Sequence, residues 1–283
     1  MEKITICALI VQQYFLDFEV TTMYERIQLY VNTTKKEAVK LAEKVKEELI
    51  RQGHKVVEKY PTLIIGFGGD GTLLNLLREN NYEIDAMYIG VNCGTLGFLQ
   101  HFNVKDVEEF VKNIPNYKAQ TLRFIGLNFI ANHTTHEYCA LNEFVIQDEE
   151  DKTFRTKVSV EGEFLENYVG SGMIFSTPTG STALNLSAGG CIVHPQMETI
   201  QITPREAIAN SKMHCLSKSI CIPSEYSVKL QPNSDNEVKI YADGQRVYTG
   251  PYKDLFVYYK KIGLTVLMDE KDSFIKTIRE KLI

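Results

Sequence analysis

The run Phe67-Gly68-Gly69-Asp70-Gly71-Thr72 sets one carboxylate among three glycines. Glycine leaves the main chain bare, so the N–H groups of such a turn can cradle phosphate oxygens. A carboxylate repels phosphate, so Asp70 needs a separate duty. It could take a proton from an attacking hydroxyl, or hold a metal that bridges to the phosphates. Both duties belong to phosphoryl transfer. The bland alternative is an Asp-Gly turn or helix cap. The chain has no GxxxxGK[ST] loop here and no GxGxxG fingerprint.

Two further stretches carry polar groups in unusual company. Asn142 and Glu143 stand side by side in "ALNEFVI". Neighbouring strand residues face opposite ways, so both reach one site only at a strand end or bulge. The alternative is an exposed edge pair. "STPTGSTALNLSAGG", residues 176–190, gathers hydroxyls, a proline and three glycines, as a backbone-lined pocket for a polar ligand would. Its plainer reading is a loop followed by a helix capped at Ser181 or Thr182. His133 and His136 have His-x-x-His spacing, but they lie in a polar loop with no third ligand near in sequence, so a turn is favoured over a zinc site.

The elements that must position these residues read from hydrophobic period. Residues 62–67 form an apolar strand ending in the glycines, and a helix follows from Thr72. Upstream, "IQLYV" (27–31) is a strand, and Thr34 heads "TKKE", a capping-box pattern before a helix with Ala38, Leu41, Ala42, Val45 and Leu49 on one face. "AMYIGVN" (86–92) is another strand and "VKDVEEFVKNI" another helix. Alternating strands and helices imply a parallel sheet covered on both faces. From about residue 122 the pattern turns to short alternating strands, including a hairpin with Gly162 at its tip. The expected fold is therefore an α/β domain with a parallel sheet (1–121), then a β-rich, antiparallel, sandwich-like domain (122–265). A C-terminal helical segment (266–283) returns to the first domain.

The chain has 283 residues, 44% of them apolar and 24% charged, with a net charge of −5. That balance offers no global basic field for nucleic acid or acidic membranes. No segment approaches the roughly 20 apolar residues of a membrane span, and the N-terminal run "ITICALIV" lacks a cleavage pattern. Six scattered cysteines without CxxC suggest a reducing, cytoplasmic setting.

Taken together and in order, "GGDGT", "LNEF" and "STPTGSTALNLSAGG", with "GVNCGTLGFL", "VHP" and "ADGQ", resemble the NAD kinase family over residues 60 to 250. GGDG alone is shared with lipid kinases and phosphofructokinases; "TPTGSTA" is what separates the families. The resemblance implies transfer of a phosphoryl group from ATP, or inorganic polyphosphate, to the 2′-hydroxyl of NAD's adenosine ribose, with a divalent ion such as Mg²⁺, in a homodimer or homotetramer. It implies that Asp70 activates the hydroxyl and that amides of Gly68, Gly69, Gly71 and Thr72 hold phosphates. Asn142 and Glu143 would bind adenosine or ribose hydroxyls, and Phe98 would line the adenine pocket. Thr182, Ala183 and Ser187 would line the dinucleotide pocket. Two positions depart from the family pattern: Ser171 replaces the aspartate of Gly-Asp-Gly, and Leu184 replaces a tyrosine. Weaker or altered grip on one end of the dinucleotide is the expected result, with the chemistry kept. A GGDGT-type lipid kinase and a non-catalytic dinucleotide sensor are the rival readings.

Overall fold

The computed structural model describes residues 25–94, 97–150, 152–208, 215–233, 237–269 and 273–283. The apolar run with Cys7, the pair Thr95-Leu96 and the turn residues 234–236 lie outside these. The described residues divide into two compact units: those up to Thr121 together with Leu264–Ile283, and Leu122–Gly263.

In the first unit, β1 (Arg26–Val31), β2 (Lys55–Val56), β3 (Leu63–Gly68) and β4 (Met87–Asn92) pair in parallel in the order β2-β1-β3-β4. Val266, in the last strand Lys253–Met268, continues the sheet in parallel beside Tyr88. Every residue of β3 is buried, as a central parallel strand covered on both faces must be. Helix α1 (Lys36–Arg51) lays Ala38, Ala42, Val45 and Leu49 on Leu63, Ile65 and Phe67, in the spacing of one helical face. Its start differs from the capping-box expectation. Asn32 Oδ1 takes both the N–H (3.1 Å) and the hydroxyl (2.7 Å) of Thr34, so Thr34 closes an Asx-turn and Lys35 becomes the N-cap. Helices α2 (Asp70–Glu79) and α3 (Val107–Asn113), with the C-terminal helix Phe274–Leu282, complete the unit.

The second unit is antiparallel. One sheet runs β12 (Ile220–Pro223), β11 (Thr199–Arg205), β10 (Gly172–Ser176), β7 (Glu143–Asp148), β14 (Val238–Ala242), β15 (Gln245–Gly250). Facing it are β16 (Lys253–Met268), β13 (Ser227–Pro232), β8 (Phe154–Val160) and β9 (Glu163–Gly170), with the hairpin β5 (Lys118–Ala131) and β6 (Thr134–Ala140). Phe144, Ile146, Phe175 and Ile240 from the first sheet share one core with Leu127, Val158, Leu230 and Leu255 from the other. Inward residues of two packed sheets make such a core. The β5–β6 turn carries Asn132 and His133 with positive φ, and His136 stacks on Phe129 at 5.0 Å, so both histidines serve the hairpin.

Candidate functional site

Strand β3 delivers the chain to the first group of site residues. Gly68 is the last strand residue, Gly69 the N-cap and Asp70 the first residue of α2. Asp70 does not cap its own helix. Its Oδ2 accepts the N–H of Phe98 at 2.8 Å and its Oδ1 that of Leu99 at 3.0 Å. A Cβ on Gly97 would run into Asp70 Oδ1, so glycine is what lets the 97–100 segment close on the carboxylate. Lys281 of the C-terminal helix brings its ammonium 3.9 Å from Asp70 Oδ2 and 4.4 Å from the centroid of the Phe98 ring. Lys35 also reaches the glycine turn, its Nζ 3.5 Å from the Cys93 carbonyl and near Gly69 and Gly94. Desolvation holds the His101 imidazole down at about 4, outweighing the pull of Asp70, so it stays neutral near pH 7. The lysines supply the positive charge at this turn.

Gly68, Gly69, Gly71 and Thr72 are brought together here, but two of their amides are already engaged. Thr72 donates its N–H to the Gly69 carbonyl at 2.8 Å, and Gly69 donates its own to Thr72 Oγ1 at 3.1 Å. Gly71 is exposed, with open space where a side chain would be. Its N–H lies in the first helical turn, where no carbonyl one turn back can receive it. An incoming anion meets that amide and the helix dipole first.

The second group is assembled by three segments far apart in sequence. Asn142 precedes β7 and Glu143 begins it, the strand-end placement that lets neighbours share a site. The Asp243 carboxylate, at the β14–β15 turn, receives the N–H groups of Leu141 (2.9 Å), Asn142 (2.7 Å) and Glu143 (3.3 Å). From the other side, Thr177 Oγ1 donates to the Leu141 carbonyl at 2.6 Å, and the Thr177 N–H to that of Asn142 at 2.9 Å. Gly180 packs so tightly on the Asn142 carbonyl that a Cβ would collide with it. The run 176–190 thus forms a 3₁₀ turn (Thr179–Thr182) and a one-turn helix α4 (Leu184–Ser187). Thr182 and Ala183 are half-buried and Ser187 is exposed.

Glu143 is the strained group of this cluster. It is 3% exposed, and among the described residues its Oε2 has no hydrogen-bond partner. Burial first, and then the Asp243 charge, push its carboxyl up to about 8, against the opposing effect of a hydrogen bond from the Leu184 N–H. A protonated carboxyl there can donate as well as accept, which suits a sugar hydroxyl.

Ser171 is not brought to this cluster. It lies beyond Gly172, while Glu143 pairs with Ser176 at the other end of β10. Five strand residues separate the positions by roughly 17 Å. The Ser171 hydroxyl donates instead to Glu206.

No sequence motif marks Lys35 or Lys281 as a site residue. For Asp243 the one local signal is the Asp-Gly pair in "ADGQ", which is like that in "GGDG". No described helix is long and apolar enough to cross a membrane.

Residues 3–119 match the family described as ATP-NAD kinase N-terminal domain, and residues 141–257 match the ATP-NAD kinase C-terminal domain. NAD kinase 1 of Bacillus cereus is 31% identical over 208 residues, 72% of this chain and 78% of that protein. NAD kinase 1 of Oceanobacillus iheyensis is 34% identical over 188 residues, 65% of this chain and 70% of that one. Among solved structures, a yeast NADH kinase complexed with NADH superposes with a TM-score of 0.78 at 18% identity, covering 90% of this chain and 86% of that one. An NAD kinase from Archaeoglobus fulgidus in complex with ATP superposes with a TM-score of 0.71 at 20% identity, covering 90% and 98%. At these identities the two structures speak for the fold.

Proposed function

The chain belongs to the NAD kinase family, and from that premise we propose how its residues divide the work of phosphorylating NAD with ATP. Asp70 accepts the proton of the ribose 2′-hydroxyl as that oxygen attacks the terminal phosphorus of the donor. The observation that carries this reading is the Asp70 carboxylate held by the Phe98 and Leu99 amides with Lys281 beside it. A group so fixed has one aim and no rotamer search to complete before reaction. Gly71's amide and the Lys35 ammonium hold the donor's phosphates, and Gly68, Gly69 and Thr72 shape the turn that presents them. Asn142 and Glu143 take the adenosine and ribose hydroxyls. Thr182, Ala183 and Ser187 line the dinucleotide pocket, and Phe98 lines the adenine.

A divalent ion fits the donor set here as a companion of the phosphates. Mg²⁺ keeps several waters and needs one or two carboxylates plus substrate oxygens, and Asp70 is the carboxylate beside the phosphate amides. When bound, the ion neutralises charge developing on the transferred phosphoryl group.

Formation of NADP from NAD, ATP and Mg²⁺ tests the reading. Turnover supports it. NAD binding without NADP makes the chain a sensor, and neither binding nor turnover returns the lipid-kinase reading.

Two variants probe the charges around the site. Lys281→Ala is expected to lower kcat several-fold, the effect of losing the ion-pair partner 3.9 Å from Asp70, while Lys281→Arg keeps most of the rate. Equal rates for Ala and wild type would leave Lys281 as a helix anchor only. Ser171→Asp places a carboxylate against Glu206, and like charges in contact repel. The single variant is therefore expected to gain no NAD affinity. Ser171→Asp with Glu206→Ser is expected to bind NAD about tenfold more tightly by calorimetry. A copy of the chain supplying its Ser171 to the Asn142 and Glu143 cluster of another, in a homodimer or homotetramer, accounts for the distance between them within one chain.

A further inference from the structure

Cys191 and Cys221 are 30 residues apart in sequence, yet their sulfurs lie 3.8 Å from each other. Both residues are exposed. Cys221 sits on β12, the edge strand of its sheet. Cys191 sits in the connection between α4 and β11. One residue holds both in place. Gln201 accepts the Cys191 N–H at 2.7 Å and donates to the Cys191 carbonyl at 3.0 Å, while its own backbone is the register partner of Cys221. Two residues on, Ser181 clamps Val193 the same way, accepting its N–H at 2.9 Å and donating to its carbonyl at 3.1 Å. The two thiols are thus fixed in contact on a surface that solvent reaches. A disulfide needs sulfurs about 2.05 Å apart, so side-chain rotation alone has little distance to cover.

We propose that Cys191 and Cys221 form a reversible disulfide, a redox modification site on the second unit. With a small disulfide such as oxidised glutathione as oxidant, the Cys191 thiolate attacks one glutathione sulfur. That breaks the glutathione S–S bond, forms a mixed disulfide on Cys191 and releases one glutathione thiolate. The Cys221 thiol then gives up its proton and attacks Cys191 Sγ, which forms the protein S–S bond and releases the second glutathione. Two protein thiols are oxidised, one glutathione disulfide is reduced to two thiols, and the two protons end on glutathione. Partial desolvation, and then the neighbouring Cys191, push the Cys221 thiol up to about 11, which leaves little Cys221 thiolate near pH 7 to start the exchange. The bond fastens the connection that starts just after Ser187 to β12, and it requires no nucleotide. It therefore stands or falls separately from the phosphoryl-transfer reading.

The test uses the full native chain incubated with oxidised glutathione, then alkylated, digested without reduction and analysed by mass spectrometry. The expected product is a linked pair of peptides carrying Cys191 and Cys221, lacking the mass of two hydrogens and restored by reductant. Cys221→Ser is expected to leave glutathione stranded on Cys191, and Cys191→Ser to leave Cys221 largely unmodified. Oxidised wild type is expected to melt about 5 °C or more above the reduced protein, with no such gain in either variant. Glutathione adducts on Cys191 and Cys221 without a link, or a link that forms only in urea, would overturn the proposal.

Discussion

Asp70→Asn is expected to lower NADP formation at least about a thousandfold, in the range of losing a positioned base, while NAD binding changes less than about tenfold. The site geometry sharpens what this variant does. Both Asp70 oxygens accept backbone N–H groups, from Phe98 and Leu99. Asparagine offers one acceptor and one donor, so its NH₂ must face one of those amides, donor against donor. The variant therefore removes the base and also loosens the 97–100 segment. Two readouts separate the effects. Loss of the base appears in single-turnover rate with bound NAD intact. Loss of the segment's anchor appears as a lower melting temperature and weaker binding. If the rate falls less than tenfold while the melting temperature drops, Asp70 is a structural clamp and the proton goes elsewhere.

The strand, glycine turn and helix around Asp70 were legible because each signal is local. Apolar residues from Leu63 fill a buried strand, and the glycines end it. The neighbours that define what Asp70 can do were not legible in the same way. Phe98 and Leu99 are 28 and 29 residues away, and Lys281 lies at the far end of the chain. Only the sheet, which brings Val266 beside Tyr88, carries that helix to the first unit. Thr34 shows the opposite case, where a local signal misled. Its capping box required Thr34 to be the N-cap, but the turn closed by Asn32 leaves Thr34 one residue outside and puts Lys35 in that place. Asp243 was hidden for a third reason. Nothing in an Asp-Gly turn says that its carboxylate will collect three amides about 100 residues earlier in the chain. That depends on β14 pairing with β7, a register no local pattern specifies.

Glu143 should make the protein less stable as pH rises from about 5 to 8, and Glu143→Gln should remove most of that slope. The folded-state carboxyl sits at about 8 against an ordinary value of 4.5. Between those values the folded protein keeps a proton that the unfolded chain has lost. The folded state binds more protons, so stability falls with rising pH across the window and levels off above its upper end. The full span is at most about 5 kcal/mol, at 1.36 kcal/mol per unit. Glu166, also raised by burial, adds a slope of the same sign, so the variant's profile flattens without becoming level. Melting curves at pH 5.5 and 8.5 for wild type and Glu143→Gln check this, with the difference between the two proteins growing toward alkaline pH. A constant difference would mean that Glu143 is ionised in the free protein and that its burial is relieved by movement of α4. A sloping one would mean that the site meets its ligand with a neutral, donating carboxyl. NAD binding would then weaken above pH 8 in wild type and stay unchanged in Glu143→Gln, because the amide keeps a donor at every pH.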